Sequence, residues 1–257
     1  MKLTFLGTGT STGVPQIGCL CPACVSDDSR DKRFRASAML TLPSGTNILI
    51  DCGPDFRSQI LRIKSPDLKA LLITHSHYDH VGGIDDLRPY CKGDDFPVWC
   101  KADVAKDLRE RNPWSFAKNP YPGVPTFELH EIEPLKPFVI DDVTITPLLI
   151  MHAKLPILGF RFDPVGGGRS LAYITDCKTM PDDTLSRLKG VDTLVINALR
   201  FNDHISHMTV AQALDIVDKV KPRVTYFTHI CHQMGCHADV ALPPGVHLAY
   251  DGLVITV

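Results

Sequence analysis

The chain has 257 residues, 44% of them apolar and 22% charged, which is enough for a full core and too apolar for disorder. Lys plus Arg number 27 and Asp plus Glu 29, a net charge of −2 that excludes a globally basic nucleic-acid binder. No apolar run approaches the ~18 residues of a membrane span, and the first apolar stretch is too short for a signal peptide, so the cytoplasm is the expected compartment.

Residues 2–6, 36–42 and 47–51 read as strands, apolar or β-branched and bounded by turn residues. Residues 54–63 read as a short helix with Phe56, Ile60 and Ile63 on one face. Residues 70–74 form a continuous apolar strand of the kind buried on both sides. A helix is predicted over 79–90, a strand over 98–100 and a helix over 102–111. Residues 112–137, rich in Pro, Gly and aromatics, read as a long surface loop. Strands resume at 143–150, 159–162, 170–174 and 193–196. Residues 208–220 form an amphipathic helix with Val210, Ala213, Leu214, Ile216 and Val217 on its apolar side. Strands at 224–227, 246–249 and 253–257 follow. Several strands precede each helix in both halves, which disfavours a doubly wound parallel fold. Two mixed sheets with helices outside, an α/β fold of four layers in a single domain over 1–257, fit better.

Nine Cys, an odd number without an export signal, point to thiols and metal ligands rather than a disulfide framework. The 11 His are clustered, and the densest cluster is Thr74-His75-Ser76-His77-Tyr78-Asp79-His80 behind the buried strand 70–74. In extended chain, residues two apart point the same way, so His75 and His77 can grip one ion. Asp79 and His80 fall at the first turn of the next helix, where a carboxylate is also favoured by the helix dipole, and can grip a second ion. Packing alone does not explain four potential ligands here, because desolvating so many polar groups without a partner is costly. Gly82-Gly83 lets this helix approach the sheet closely. Further ligands should stand at other strand ends, and His152, Asp176 and His229 each follow a strand-like run.

This pattern resembles the metallo-β-lactamase superfamily. The resemblance implies an αββα sandwich and a binuclear hydrolase. It assigns His75, His77 and His152 to a first ion, Asp79, His80 and His229 to a second, and Asp176 to both. Gly7-Thr8-Gly9-Thr10 and Ile50-Asp51-Cys52-Gly53 match the superfamily's early landmarks. A narrower likeness lies in Gly18-Cys19-Leu20-Cys21-Pro22-Ala23-Cys24 taken with Thr228-His229-Ile230-Cys231-His232-Gln233. These two segments resemble the PhnP-type phosphodiesterases, which act on phosphoribosyl 1,2-cyclic phosphate. That resemblance implies a structural zinc on Cys19, Cys21, Cys24 and His232, and a Cys₃His set is a common closed tetrahedral zinc site. Cys231 stands inside the late motif and is not counted as a ligand. Cys52, Cys91, Cys100, Cys177 and Cys236 read as ordinary thiols.

Two divalent ions, zinc or manganese, would lower the pKa of a shared water and supply a hydroxide nucleophile for in-line attack on a phosphodiester. His207 resembles the PhnP-family His that assists the leaving group, with His204 as its rival. His207 and Asp79 are therefore the expected catalytic residues. Thr10, Ser11 and Arg200 are weaker candidates for a phosphate contact. The expected function is a metal-dependent phosphodiesterase for a small cyclic or nucleotide-like substrate, with no membrane association and no stable nucleic-acid binding. The family resemblance also allows a homodimer. The alternatives are a tRNA 3′-processing endonuclease, for which no Lys/Arg-rich arm is seen, a thioesterase or lactamase, and a zinc-stapled binding module.

Overall fold

The computed structural model describes residues 1–91 and 93–257. In chain order the elements are β1 (Lys2–Gly7), α1 (Pro22–Val25), β2 (Ser37–Thr41), β3 (Asn47–Ile50), α2 (Phe56–Arg62), β4 (Ala70–Leu72), α3 (Tyr78–Val81), β5 (Phe96–Cys100), α4 (Ala102–Arg111) and β6 (Phe127–Glu131). There follow β7 (Phe138–Ile140), β8 (Val143–His152), β9 (Leu155–Pro164), β10 (Leu171–Ile174), α5 (Asp182–Leu188), β11 (Thr193–Asn197), α6 (Val210–Val220), β12 (Val224–Thr228), β13 (Val246–Leu248) and β14 (Val254–Thr256).

Among the described residues these strands make two seven-stranded sheets, ordered β14-β1-β2-β3-β4-β5-β6 and β13-β12-β11-β10-β9-β8-β7. Both are mixed. Antiparallel pairs at one side of each sheet give way to parallel pairs such as β3 with β4 and β10 with β11. The inner faces meet in one apolar cluster that joins Leu3, Phe5, Leu40 and Ile48 of the first sheet to Ile145, Phe160, Phe162 and Val195 of the second. Helices α2 and α4 cover the outer face of the first sheet, and α5 and α6 that of the second. The expected four-layer αββα sandwich is therefore the fold. No helix among the described residues is long and apolar enough to cross a membrane.

The reasons for individual elements are local. The capping box of α6 is complete, with Thr209 Oγ1 accepting from Gln212 N while the Gln212 side chain accepts from Thr209 N. The long hairpin of β8 and β9 is held in continuous register from Val143 opposite Pro164 to His152 opposite Leu155.

Two sequence expectations are corrected. The helix expected over 79–90 is broken: α3 ends at Val81, and a 3-10 turn over Ile84–Tyr90 follows, with Pro89 inside it. The break is at Gly82 and Gly83, where the chain packs backbone against backbone on the turn after β3. Cys52 N donates to His80 O at 2.8 Å and Gly83 N to Cys52 O at 2.9 Å. A Cβ on Gly83 would lie 2.0 Å from Gly53 O, so only glycine permits this approach. The loop expected over 112–137 contains a 3-10 turn, Pro113–Phe116, and the edge strand β6, which pairs in parallel with β5. Its sequence, Phe-Glu-Leu-His-Glu, buries only Phe127, so its pattern is too weak to be read as a strand. The strand expected over 159–162 is the middle of a ten-residue β9, and β7 and α5 were not anticipated.

Replacing Gly83 by Ala should force the α3 turn away from the Gly53 loop, at about 1–3 kcal/mol of stability. Thermal unfolding checks this; a melting temperature equal to wild type would contradict it.

Candidate metal centre

The chemistry-bearing residues lie at the carboxyl ends of strands from both sheets. His75, His77, Asp79 and His80 follow β4, His152 ends β8, Asp176 follows β10 and His229 follows β12. Asp51, Asp176 and His229 turn off their strands with φ of 59°, 57° and 54°, left-handed backbone that costs side-chain-bearing residues on the order of 1 kcal/mol or more. Such strain concentrated at one rim turns these side chains toward a common point.

Asp176 is that point. His229 Nε2 stands 3.0 Å from its Oδ1 and His80 Nε2 3.2 Å from its Oδ2. His80 Nε2 is also 3.3 Å from Asp79 Oδ2. Ligand atoms of Asp79, His80, Asp176 and His229 all lie within 4.8 Å of one another, as do those of His152, Asp176 and His207. His75 Nε2 and His77 Nδ1 are 3.0 Å apart, and the ring centroids of His75 and His77 stand 5.7 and 5.3 Å from that of His152. The structure thus brings together all seven residues expected at the two ions, and adds His207 to them.

Three of the imidazoles are fixed from behind. His80 Nδ1 donates to Asp51 Oδ2 at 2.7 Å. Asp51 also accepts from Thr74 N and Oγ1, so the Nδ1 proton of His75 goes to Thr74 Oγ1 at 3.0 Å. His152 Nδ1 donates to the carbonyls of Asp176 and Ser206, at 3.0 and 3.1 Å. In each ring Nδ1 is tied back and Nε2 is left for the centre, the usual arrangement behind a metal-ligating imidazole. His80 Nε2, both ring nitrogens of His229 and His207 Nδ1 are buried with no hydrogen-bond partner among the described residues. Unpartnered buried nitrogens are costly. A cation is what this set of imidazole and carboxylate donors fits.

The electrostatics agree. Burial opposes the charged form of Asp176, but His229 and His80 outweigh it and hold its carboxyl well below the usual range. Asp79 is likewise held low by His80 against the cost of burial. His80 is pushed up despite its burial, because Asp176, Asp51 and Asp79 surround it. Burial and then His80 push His75 down, and burial and then His229 push His207 down to about 2. At neutral pH, then, His207 is a neutral imidazole. His204 hydrogen-bonds within its own loop to Ser206 and joins neither group, although its ring is 5.0 Å from His207.

A second group lies outside this rim. Cys19, Cys21, Cys24 and His232 converge within 4.8 Å, with the thiols of Cys19 and Cys21 at 3.4 and 3.3 Å from His232 Nδ1. His232 lowers the Cys21 thiol to about 6, and a thiolate is the metal-ligating form. Cys231 is buried outside the group, as are Cys52, Cys100 and Cys177.

Of the weaker phosphate candidates, Thr10 is buried and Ser11 exposed. The Arg200 guanidinium donates to Asn202 O, Asp203 O and Gln233 Oε1. Sequence reasoning noted the Asp51 landmark without a role for it. Its signal was an acidic residue at the end of a buried strand, the same signal that marked Asp176.

A family model described as a β-lactamase superfamily domain matches residues 46–230. The octanoyltransferase of Porphyromonas gingivalis (strain ATCC BAA-308 / W83) is 42% identical over 256 residues, 98% of this chain and 51% of that protein. The chain therefore spans about half the length of that relative. Among solved structures, a diphosphatase described as from the PhnP family is 35% identical, covers 99% of this chain and 96% of its own, and superposes with a TM-score of 0.88. The zinc-bound PqqB of Methylobacterium extorquens is 19% identical, covers 100% of both chains and has a TM-score of 0.82, a likeness of fold.

In metal-free protein, stability should peak near pH 6.5. Below that, unfolded chains bind protons at His75 and His207 that the fold refuses, so stability falls as pH falls. Above it, the fold keeps a proton on His80 that the unfolded chain has lost, so stability falls as pH rises. Melting curves across pH 5–8 check both arms; a flat profile would contradict them. Replacing Cys21 by Ser should lower both melting temperature and bound zinc, and unchanged zinc content would remove the role of the Cys₃His group.

Proposed function

The chain belongs to the metallo-β-lactamase superfamily and resembles its PhnP family, and from this premise we propose that it is a hydrolase, a metal-dependent phosphodiesterase for a small cyclic or nucleotide-like phosphodiester. The observation that carries the reading is the Asp176 carboxylate, one oxygen against His229 and the other against His80, with unpartnered imidazole nitrogens around it. In this reading His75, His77 and His152 would hold one divalent ion and Asp79, His80 and His229 a second, with Asp176 between them. Imidazole and carboxylate donors suit zinc or manganese. Cys19, Cys21, Cys24 and His232 would hold a separate, structural zinc. Because both sheets supply donors, residues 1–257 read as one catalytic domain.

When bound, such ions act as Lewis acids that activate water and take up charge on phosphoryl oxygens. The side chains do the rest. Asp51 and Thr74, with the carbonyls of Asp176 and Ser206, keep three imidazoles in one tautomer and orientation. Asp79 supplies a second carboxylate beside Asp176. His207 stands over the rim with Nδ1 unpartnered, 3.8 Å from Asp176 Oδ1. Neutral at rest, it gains proton affinity from an anionic substrate beside it, can take a proton from solvent at the unpartnered Nδ1, and can give that proton to the departing alkoxide, returning to the neutral imidazole.

Other chemistries find less support. The octanoyltransferase name belongs to a protein of which this chain matches 51%, and the thiol beside the centre, Cys177, is fully buried and pushed up by burial, so it is no acyl carrier. For a tRNA endonuclease, the stretch over 112–137 is not a basic arm: Lys118 and Lys136 are offset by Glu128, Glu131 and Glu133.

The test is a panel of cyclic phosphates and bis(p-nitrophenyl) phosphate, assayed on zinc- and manganese-loaded protein and on chelated protein. Hydrolysis that requires metal is expected. Absence of hydrolysis in loaded protein, or faster thioester cleavage, would contradict the reading. Replacing His207 by Ala should cut turnover by ~10²–10⁴-fold at unchanged metal content; full activity would remove its role.

A further inference from the structure

The loop between β11 and α6 is closed on itself, with Leu199 N donating to Met208 O at 2.9 Å and Val210 N to Arg200 O at 3.0 Å. It carries Ser206, whose carbonyl accepts from His152 Nδ1, and His207, which leans on Asp176. Nothing apolar fills its tip: Phe201 and Ile205 are exposed. Its shape is held by Arg200, whose Nε donates to Asn202 O at 3.2 Å and whose Nη2 donates to Asp203 O at 2.8 Å. Lys178 Nζ holds the same loop at Asp203 Oδ1, 2.8 Å away. The remaining arm of Arg200, Nη1, donates to Gln233 Oε1. Gln233 is the residue after His232 of the Cys₃His group, and that segment leads back to His229 through Cys231, whose N donates to Leu199 O at 3.1 Å.

We infer that Arg200 is a positioning residue that, through Gln233, ties the 199–208 loop, and with it His152 and His207, to the segment clamped by Cys19, Cys21, Cys24 and His232. The inference rests on the reading of the rim as a metal centre. It assigns Arg200 a task other than phosphate contact: each of Nε, Nη1 and Nη2 has one acceptor inside the protein, and those three contacts set the orientation of the guanidinium. It also gives the Cys₃His group a role at the rim. That group holds the segment of Gln233, Gln233 holds Arg200, and Arg200 holds the Asn202 and Asp203 carbonyls of the loop that carries the Ser206 carbonyl onto His152 Nδ1. Partners behind a ligating imidazole matter for affinity and activity by ~10–100-fold when removed.

The test uses Arg200→Ala, Gln233→Ala and the double variant as metal-loaded protein. Each single variant should lower kcat on bis(p-nitrophenyl) phosphate by ~10-fold or more with KM little changed. The double variant should be no worse than Arg200→Ala alone, because the two act as one connection. Gln233→Glu, which keeps the acceptor for Nη1, should restore wild-type kcat. In cobalt-loaded protein the exchangeable imidazole N–H resonances should include one, from His152, that exchanges faster in both Ala variants. A raised KM at constant kcat in Arg200→Ala would overturn the inference in favour of a substrate contact, and so would multiplying effects in the double variant. The N–H signal needs no substrate. Its faster exchange supports the connection and its persistence overturns it, even for a protein that cleaves no phosphodiester.

Discussion

A carboxylate buried at the meeting of two sheets must be balanced by positive charge, and the site is organised by that constraint. Asp176 is 2% exposed and lies among imidazoles from both halves of the chain. Burying an unbalanced carboxylate costs several kcal/mol. Without a metal, the proton on His80 supplies positive charge beside it, and the fields of Asp176, Asp51 and Asp79 explain why His80 holds that proton so firmly. In the proposed reading, divalent cations would take the same nitrogens as ligands, and the unpartnered atoms at the centre would find their partner. The strain at Asp51, Asp176 and His229 is tolerated because the packing around each strand end leaves no other course.

The fold makes this convergence by stacking two mixed sheets so that the carboxyl ends of β4, β10 and β12 open on one rim. Close approach of backbones does the fine placement. The Cys52–Gly53 turn and the His80–Gly83 turn share hydrogen bonds that leave no room for a Cβ, and this sets the height of Asp79 and His80. In the loop 199–208, Leu199 and Met208 are buried at the ends, but the tip between them is held by polar side chains, Arg200 and Lys178. The rim therefore has one side built by packing and one side braced by hydrogen bonds. The braced side carries His207, the residue proposed to meet the substrate.

Much of this was legible in the sequence. The run from His75 to His80 packs four candidate ligands, three His and one Asp, into six residues behind a buried strand, and no packing requirement produces that. His152, Asp176 and His229 were each found by their place after an apolar run, a signal that works because strand ends are where such sheets present side chains. The four-layer fold followed from the order of strands and helices. What escaped has physical causes. The strand β6 buries one residue, so period-two alternation was absent. The break after Val81 depends on a contact with Gly53, some thirty residues away, which local propensity does not encode. The supporting roles of Ser206 and Arg200 rest on backbone carbonyls, and backbone acceptors leave no mark in a sequence.

The most direct test of the account is an anomalous-difference map at the zinc edge from crystals of zinc-loaded protein. Peaks on both sides of the Asp176 carboxylate, one toward His75, His77 and His152 and one toward Asp79, His80 and His229, are the predicted result, with a separate peak at Cys19, Cys21, Cys24 and His232. Zinc at the cysteines alone, with no density at Asp176, would contradict it.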